Sequence, residues 1–358
     1  MTSSGRKKIQ VEGKTSEDIE ETKIYYLNVI RHQGNMVLDG VTTYDKAQLI
    51  ESTKTYEFGS IEKDVGTANE EAKNTVVLKV EGDLIINDGV VLTSVRSSYG
   101  GPKGMVICCT GNIINNGEIS MTKRGGKAEG ENVYVLKNSD GSFEYIPAIG
   151  GAGATGVPSQ TRRNSNPTAG YRGVNGVGRS TGGGGSGDAW NDSQHTDGGA
   201  SCPAYGGTGS TGTSYCGGSG GGFGKSWHSV GGKRGGNALG NGGAGGGSWD
   251  GGSYVSVSAG NPSNGCGGLL IVNCNSYEGS GKVTSQGSIG HTIQSKCHAG
   301  SSGGGSINLF YNNSCTLNSE LCNVTSVHPR GSTSGGAGGN GTVTIGKITN
   351  GQFKKIDI

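Results

Sequence analysis

The side chains best suited to binding are concentrated in one stretch of this chain. Its three tryptophans are Trp190, Trp227 and Trp249, and Tyr205, Tyr215, Phe223, His228 and Tyr254 lie among or beside them. Trp and Tyr offer large rigid surfaces at low entropic cost, which favours them at recognition sites. Trp190, Trp227 and Trp249 suit stacking on sugar faces. They are equally able to act as small caps on local structure, and the sequence leaves both roles open. Arg162, Arg163, Arg172 and Arg179 precede them and suit an anionic glycopolymer or a solvated loop.

Catalytic chemistry has weaker support. The histidines, His32, His195, His228, His291, His298 and His328, form no helix-borne ligand pair. No Gly-x-Ser-x-Gly turn opens onto an expected helix, so a hydrolase elbow is unsupported. Paired carboxylates would mark a glycosidase, and Asp188 with Asp192 is the pair on offer among the acids of the aromatic stretch. The expectation is therefore a protein that is not an enzyme and needs no cofactor or metal. The nine cysteines show no CxxC pair, so a structural zinc site has little support. Cys108 and Cys109 are neighbours in a strand-like run and should face opposite sides. Buried free thiols are the expected state, with a Cys202–Cys216 disulfide as the alternative for that pair.

The elements that must carry these residues follow from composition. The chain has 358 residues, of which 74 are glycine and 31% are hydrophobic. A thick core and long helices are thereby excluded, since interior glycine costs a helix about 1 kcal/mol relative to alanine. With only 7 prolines, collagen is excluded as well. The net charge of +2 and the lack of a basic stripe argue against nucleic acid. No apolar run is long enough for a membrane span, and Met1 to Lys8 is not followed by the apolar stretch of a secretory signal. Synthesis in a bacterial cytoplasm without a signal peptide is expected.

Four regions are distinguishable. Residues 1–75 are charged and ordinary in composition, with an expected short helix from Thr15 to Lys23 and strands at 25–30 and 36–38. Residues 76–124 hold two β-rich copies, Val76–Thr93 and Met105–Ser120, each turning at Gly-Asp or Gly-Asn and again at Asn-x-Gly. Residues 125–266 are the glycine-rich insert. Residues 267–358 resume the strand pattern at Leu269–Cys274, Ile307–Asn313 and Thr342–Phe353. About five imperfect copies point to an all-β fold of stacked short strands, a β-solenoid. A sandwich with Asn-Gly hairpins is the alternative.

The glycine tracts, Gly182–Gly185, Gly217–Gly222, Gly242–Gly247, Gly303–Gly305 and Gly335–Gly339, are short and separated by richer segments. A flexible linker needs no aromatics, so packed extended rods of polyglycine II type are expected instead. In such rods the backbone groups point outward and neighbouring rods supply their partners.

Glycine tracts joined by aromatic-bearing loops, together with strand-Asn-x-Gly-strand repeats, resemble the glycine-rich adhesins of bacteriophage and prophage tail-fibre tips. The resemblance covers roughly residues 76–358 and rests on composition and repeat style. It implies a receptor-binding protein on the virion, at the tail tip, whose loops contact a bacterial surface glycan or protein. The residues it would use are Trp190, Tyr205, Tyr215, Trp227, His228, Trp249 and Tyr254. It further implies a partner at the amino-terminal region, a fibre or baseplate protein, with a single chain or a homotrimer as the assembly. A self-assembling coat protein and a virion-borne polysaccharide depolymerase are the other functions open to such a sequence.

Overall fold

In the computed structural model, residues 4–14, 20–59, 75–95, 104–125, 135–137, 143–145, 211–212, 217–218, 248–249, 254–255, 267–288, 292–293, 297–298, 301–326, 337–350 and 352–356 are described. Alternation of buried and less buried residues along runs such as Thr55–Phe58, Leu84–Ile86 and Gly104–Cys109 makes these short strands rather than helix. The chain opens with β1 (Ser4–Lys14) and β2 (Glu20–Gln33), then β3 (Met36–Leu38), β4 (Ala47–Ile50) and β5 (Thr55–Phe58). The next pass is β6 (Thr75–Glu81), β7 (Leu84–Ile86) and β8 (Val91–Ser94), and a third is β9 (Gly104–Cys109), β10 (Ile113–Asn115) and β11 (Glu118–Ser120). Two small antiparallel pairs follow, β12 (Val135–Lys137) with β13 (Phe143–Tyr145) and β14 (Ser248–Trp249) with β15 (Tyr254–Val255). A fourth pass is β16 (Leu269–Cys274), β17 (Tyr277–Glu278) and β18 (Lys282–Thr284), followed by the pair β19 (Thr292–Ile293) and β20 (Cys297–His298). The fifth comprises β21 (Ser306–Tyr311), a single bridge at Cys315 and β22 (Cys322–Asn323), and the chain closes with β23 (Thr342–Thr349) and β24 (Gln352–Ile356).

Strands of successive passes lie side by side. The first sheet has the order β1-β2-β6-β9-β16-β21-β23-β24, the second β3-β7-β10-β17, and the third β4-β5-β8-β11-β18-β22. Pairing between passes is parallel throughout; only the outermost β1, β4 and β24 join antiparallel. The chain thus visits first, second and third sheet in the same order on each complete pass. The hairpin sandwich is corrected by this pattern. The Asn-x-Gly corners connect strands of different sheets, because one apolar row per sheet must face the space they enclose.

The core is built from rows of register partners. On the first sheet Ile30, Leu78, Ile107, Val272, Leu309 and Ile345 stack in line. Met36, Leu84, Ile113 and Tyr277 do so on the second, and Tyr56, Leu92, Ile119 and Val283 on the third. All of these are buried. Each full burial of such a side chain is worth roughly 1.5–3 kcal/mol.

Residues 20–58 supply strands to all three sheets. The helix expected from Thr15 to Lys23 is corrected over its described part: Glu20 to Lys23 are strand, paired with β1. The acidic first turn suits a helix dipole, but the eleven-residue β1–β2 ladder holds this segment as strand. The strands expected at 25–30 and 36–38 are present within β2 and as β3.

Corners between the first and second sheets repeat a polar residue. Asp83 N–H donates to Asn35 Oδ1 at 2.9 Å and Asn112 N–H to Asp83 Oδ1 at 2.8 Å. The Asn275 amide donates to Asn112 Oδ1 and the Asn313 amide to Asn275 Oδ1, both at 3.1 Å. Glycine precedes Asp83 and Asn112 because of space: a Cβ at Gly82 would lie 2.5 Å from Gly34 C and one at Gly111 2.6 Å from Gly82 O, and neither has a left-handed φ. Positive φ is instead needed at Gly89 and Gly279.

The free edge of the second sheet is covered by a side chain. The inner side of β3 bonds to the second pass through Met36 N–H and Leu38 C=O. Its outer side, at Val37, is met by one phenol: Tyr44 Oη accepts from Val37 N–H at 3.0 Å and donates to Val37 C=O at 2.5 Å. Residues 39–44 are held over this end by Asp39, which accepts the N–H of Val41 and Thr42, and by Tyr56, which donates to Thr42 C=O. Unpaired strand edges promote association between chains.

Replacement of Ile107 by Ala should lower stability by about 2–5 kcal/mol in denaturant titration, since it removes the centre of the longest apolar row. Replacement of Tyr44 by Phe should expose the β3 edge and give concentration-dependent association in light scattering; a monodisperse variant would show that the phenol is not the edge guard.

Candidate functional site

The three corners of each pass differ in length. The first-to-second corners are short: 34–35, 82–83, 110–112 and 275–276. The returns from the third sheet to the first take 59–74, 95–103, 121–268, 285–305 and 324–341. Long chain excursions therefore leave from one side of the stack, and the insert with every tryptophan is the longest of them.

The insert begins and ends on one hydrogen bond. Gly268 N–H donates to Met121 C=O at 2.9 Å. The next two returns close in the same way, Gly305 N–H on Ser285 C=O and Gly341 N–H on Val324 C=O, each at 2.8 Å. Pairing across the insert is undisturbed, with Leu269 opposite Gly104 and Val272 opposite Ile107. Beside this neck, Arg124 is fixed to the third sheet: its guanidinium contacts Glu57 Oε1 at 2.6 Å and Thr93 Oγ1 at 3.1 Å. The pair is largely buried, with 18% and 13% of the two side chains exposed.

Around the necks the chain is extended but outside the named strands. Residues 301–305 bond to more neighbours than the two a β-strand has. Gly303 C=O accepts from Gly267 N–H at 3.1 Å, Gly304 C=O from Gly218 N–H at 2.8 Å, and Ser302 C=O from Ser326 Oγ at 2.7 Å. Gly304 N–H donates to Gly339 C=O at 3.0 Å. At three glycines no side chain larger than hydrogen fits between these segments. A Cβ would stand 1.6 Å from Gly305 O at Gly341, 1.8 Å from Val324 O at Gly304 and 1.9 Å from Gly339 O at Gly218.

Of the residues expected to bind a receptor, Trp249 and Tyr254 are register partners in the β14–β15 pair. Trp190, Tyr205, Tyr215, Trp227 and His228 lie outside the described residues, as do Asp188, Asp192, Cys202 and Cys216. So do the tracts 182–187 and 242–247; of 217–222, Gly217 and Gly218 are described and buried. The neck residues Met121, Arg124 and Gly268 and the partner Glu57 were not singled out in the sequence. A recurring glycine at the start of the first-sheet strands, at Gly104, Gly268, Gly305 and Gly341, was the available signal.

Cys108 and Cys109 face opposite sides, half-buried and buried, as adjacent strand residues must. Cys109, Cys274, Cys315 and Cys322 are free thiols in and around the core. Burial raises all four, and the Cys322 thiol is pushed from 9.0 up to about 12 by burial and by nearby Cys315. Such thiols are neutral and poor nucleophiles. Among the described residues no group of three or more His, Cys, Asp and Glu could hold a metal ion, and no helix is long and apolar enough to cross a membrane. No protein-family model, curated protein or solved structure matches the chain.

The thiols predict a pH response. An unfolded chain loses these protons near pH 9 while the folded one keeps them, so it then binds fewer protons than the native state. Stability should be level with respect to these groups up to about pH 8 and fall as pH rises from about 9 towards 12, with Cys109 and Cys274 resisting alkylation until the protein unfolds. Rapid labelling of either in the native protein at pH 8 would contradict their burial.

Proposed function

We propose that this chain is a non-enzymatic receptor-binding protein, a β-solenoid that displays residues 125–266 to a bacterial surface glycan or protein at the tip of a phage or phage-like tail fibre. The observation that carries the reading is the neck. A segment rich in aromatic residues leaves and re-joins the stack at one hydrogen bond, and the core rows continue in register on either side. A scaffold that tolerates so long an excursion without losing a rung is suited to presenting it.

In this reading the amino-terminal region meets a fibre or baseplate protein, and the glycine segments pack as polyglycine II-type rods. Extended segments bonded on more than two sides, as residues 301–305 are, support that packing. The receptor surface is assigned to Trp190, Tyr205, Tyr215, Trp227, His228, Trp249 and Tyr254. An edge-assembled coat protein fits less well at the second sheet, where Tyr44 covers the outer side of β3.

The test is binding of the purified protein to a panel of intact bacterial cells. Triple replacement Trp190→Ala, Trp227→Ala and Trp249→Ala should abolish cell binding with little change in melting temperature. A large drop in melting temperature would assign the rings to packing, and binding that survives would remove them from the receptor surface.

A further inference from the structure

The insert belongs to the connection between the third and fourth passes, yet its described residues are bonded further along the stack. Gly212 N–H donates to Asn340 C=O at 2.7 Å, and Gly218 N–H donates to Gly304 C=O at 2.8 Å. The acceptors lie on the returns into β21 and β23, which are one and two strands beyond β16, where the insert itself returns. Neighbouring strands are about 4.8 Å apart, so the insert reaches past its own neck towards the carboxy-terminal passes.

We infer that the glycine-rich returns at 301–305 and 337–341 form a docking seat for the insert, with Gly212 and Gly218 as the docked residues. This rests on the reading of the insert as the display element and adds what orients it. The contact is built for backbone alone. Gly304 is already engaged through its N–H to Gly339 C=O, and its carbonyl is left for Gly218. A Cβ on Gly218 would lie 1.9 Å from Gly339 O and 2.4 Å from Asn340 O, both backbone atoms that cannot swing aside. Gly217 and Gly218 are buried there. Their contact with the seat is lateral, so no residue of the apolar rows takes part in it.

The seat gives the stack a direction. The bonds from Gly212 and Gly218 both go to carboxy-terminal returns. Gly212 and Gly218 are thus positioning residues: they tie the insert to the carboxy-terminal returns, without touching a receptor themselves.

Hydrogen exchange on the full chain reads the seat directly. In the wild type, peptides covering 211–218 should exchange at least about tenfold more slowly than the unfolded chain. In Gly218→Ala that protection should be lost and protease cuts should appear within 126–266, while peptides from β9 and β10 and the melting temperature stay as in the wild type. Binding to cells should fall about tenfold or more in the same variant if orientation matters to display. Exchange of the wild-type 211–218 peptides at the unfolded rate, or unchanged exchange in Gly218→Ala, would overturn the seat. Should the variant fail to fold, the wild-type exchange rates alone decide. A wild type that is protected at 211–218 but binds no cells would count against the display reading and leave the seat standing.

Discussion

Where successive passes pair, each strand residue sits beside its counterpart on the preceding pass, about 4.8 Å away. Nearly everything else follows from that spacing. Like must tolerate like at that distance, so apolar side chains form continuous rows, and Asn35, Asp83, Asn112, Asn275 and Asn313 form a polar ladder of four amides and one carboxylate. A charged residue in an inward row would face a column of hydrocarbon. A bulky residue at Gly82 or Gly111 would strike the backbone one rung below.

The same spacing explains two uses of glycine. At Gly34, Gly89 and Gly279 the chain turns with positive φ, which side chains resist. At Gly218, Gly304 and Gly341 φ is ordinary and the limit is room, because another backbone occupies the place a Cβ would take. Fixing such residues costs more conformational entropy than fixing any other type. Hydrogen bonds on several sides of one segment offset that cost, and a segment with only two neighbours could not make as many.

How far the sequence revealed this depended on the length of each strand run. The passes at 76–93 and 105–120 were legible because alternating apolar residues run between Gly-Asx and Asn-x-Gly corners. The first pass was legible only in part: its strands at 25–30 and 36–38 were expected, and those of the third sheet were not. Its strand β5 is separated from β3 by residues 39–54, and its apolar row is carried by Tyr56 and Phe58 rather than by a Val/Ile run. Residues 15–23 read as helix because their acids suit a helix start, a local preference that the β1–β2 and β2–β6 ladders override from Glu20 onwards. The sequence made glycine packing foreseeable as a principle. The partners were not, since Gly218 with Gly304 and Met121 with Gly268 are joined across long separations that composition does not encode.

Between Met121 and Gly268 the chain meets two kinds of demand: its ends must come together, and Arg124, Gly212 and Gly218 must keep their partners on the stack. Closing a longer loop costs only slowly more entropy, since the cost grows with the logarithm of length. The interval between these residues therefore behaves as a cassette. Outside the positions tied to the stack, its length and lettering can drift or be exchanged by recombination while the rungs on either side keep their register, so the stretches free to diversify fastest are bounded by a few backbone hydrogen bonds to the part that cannot.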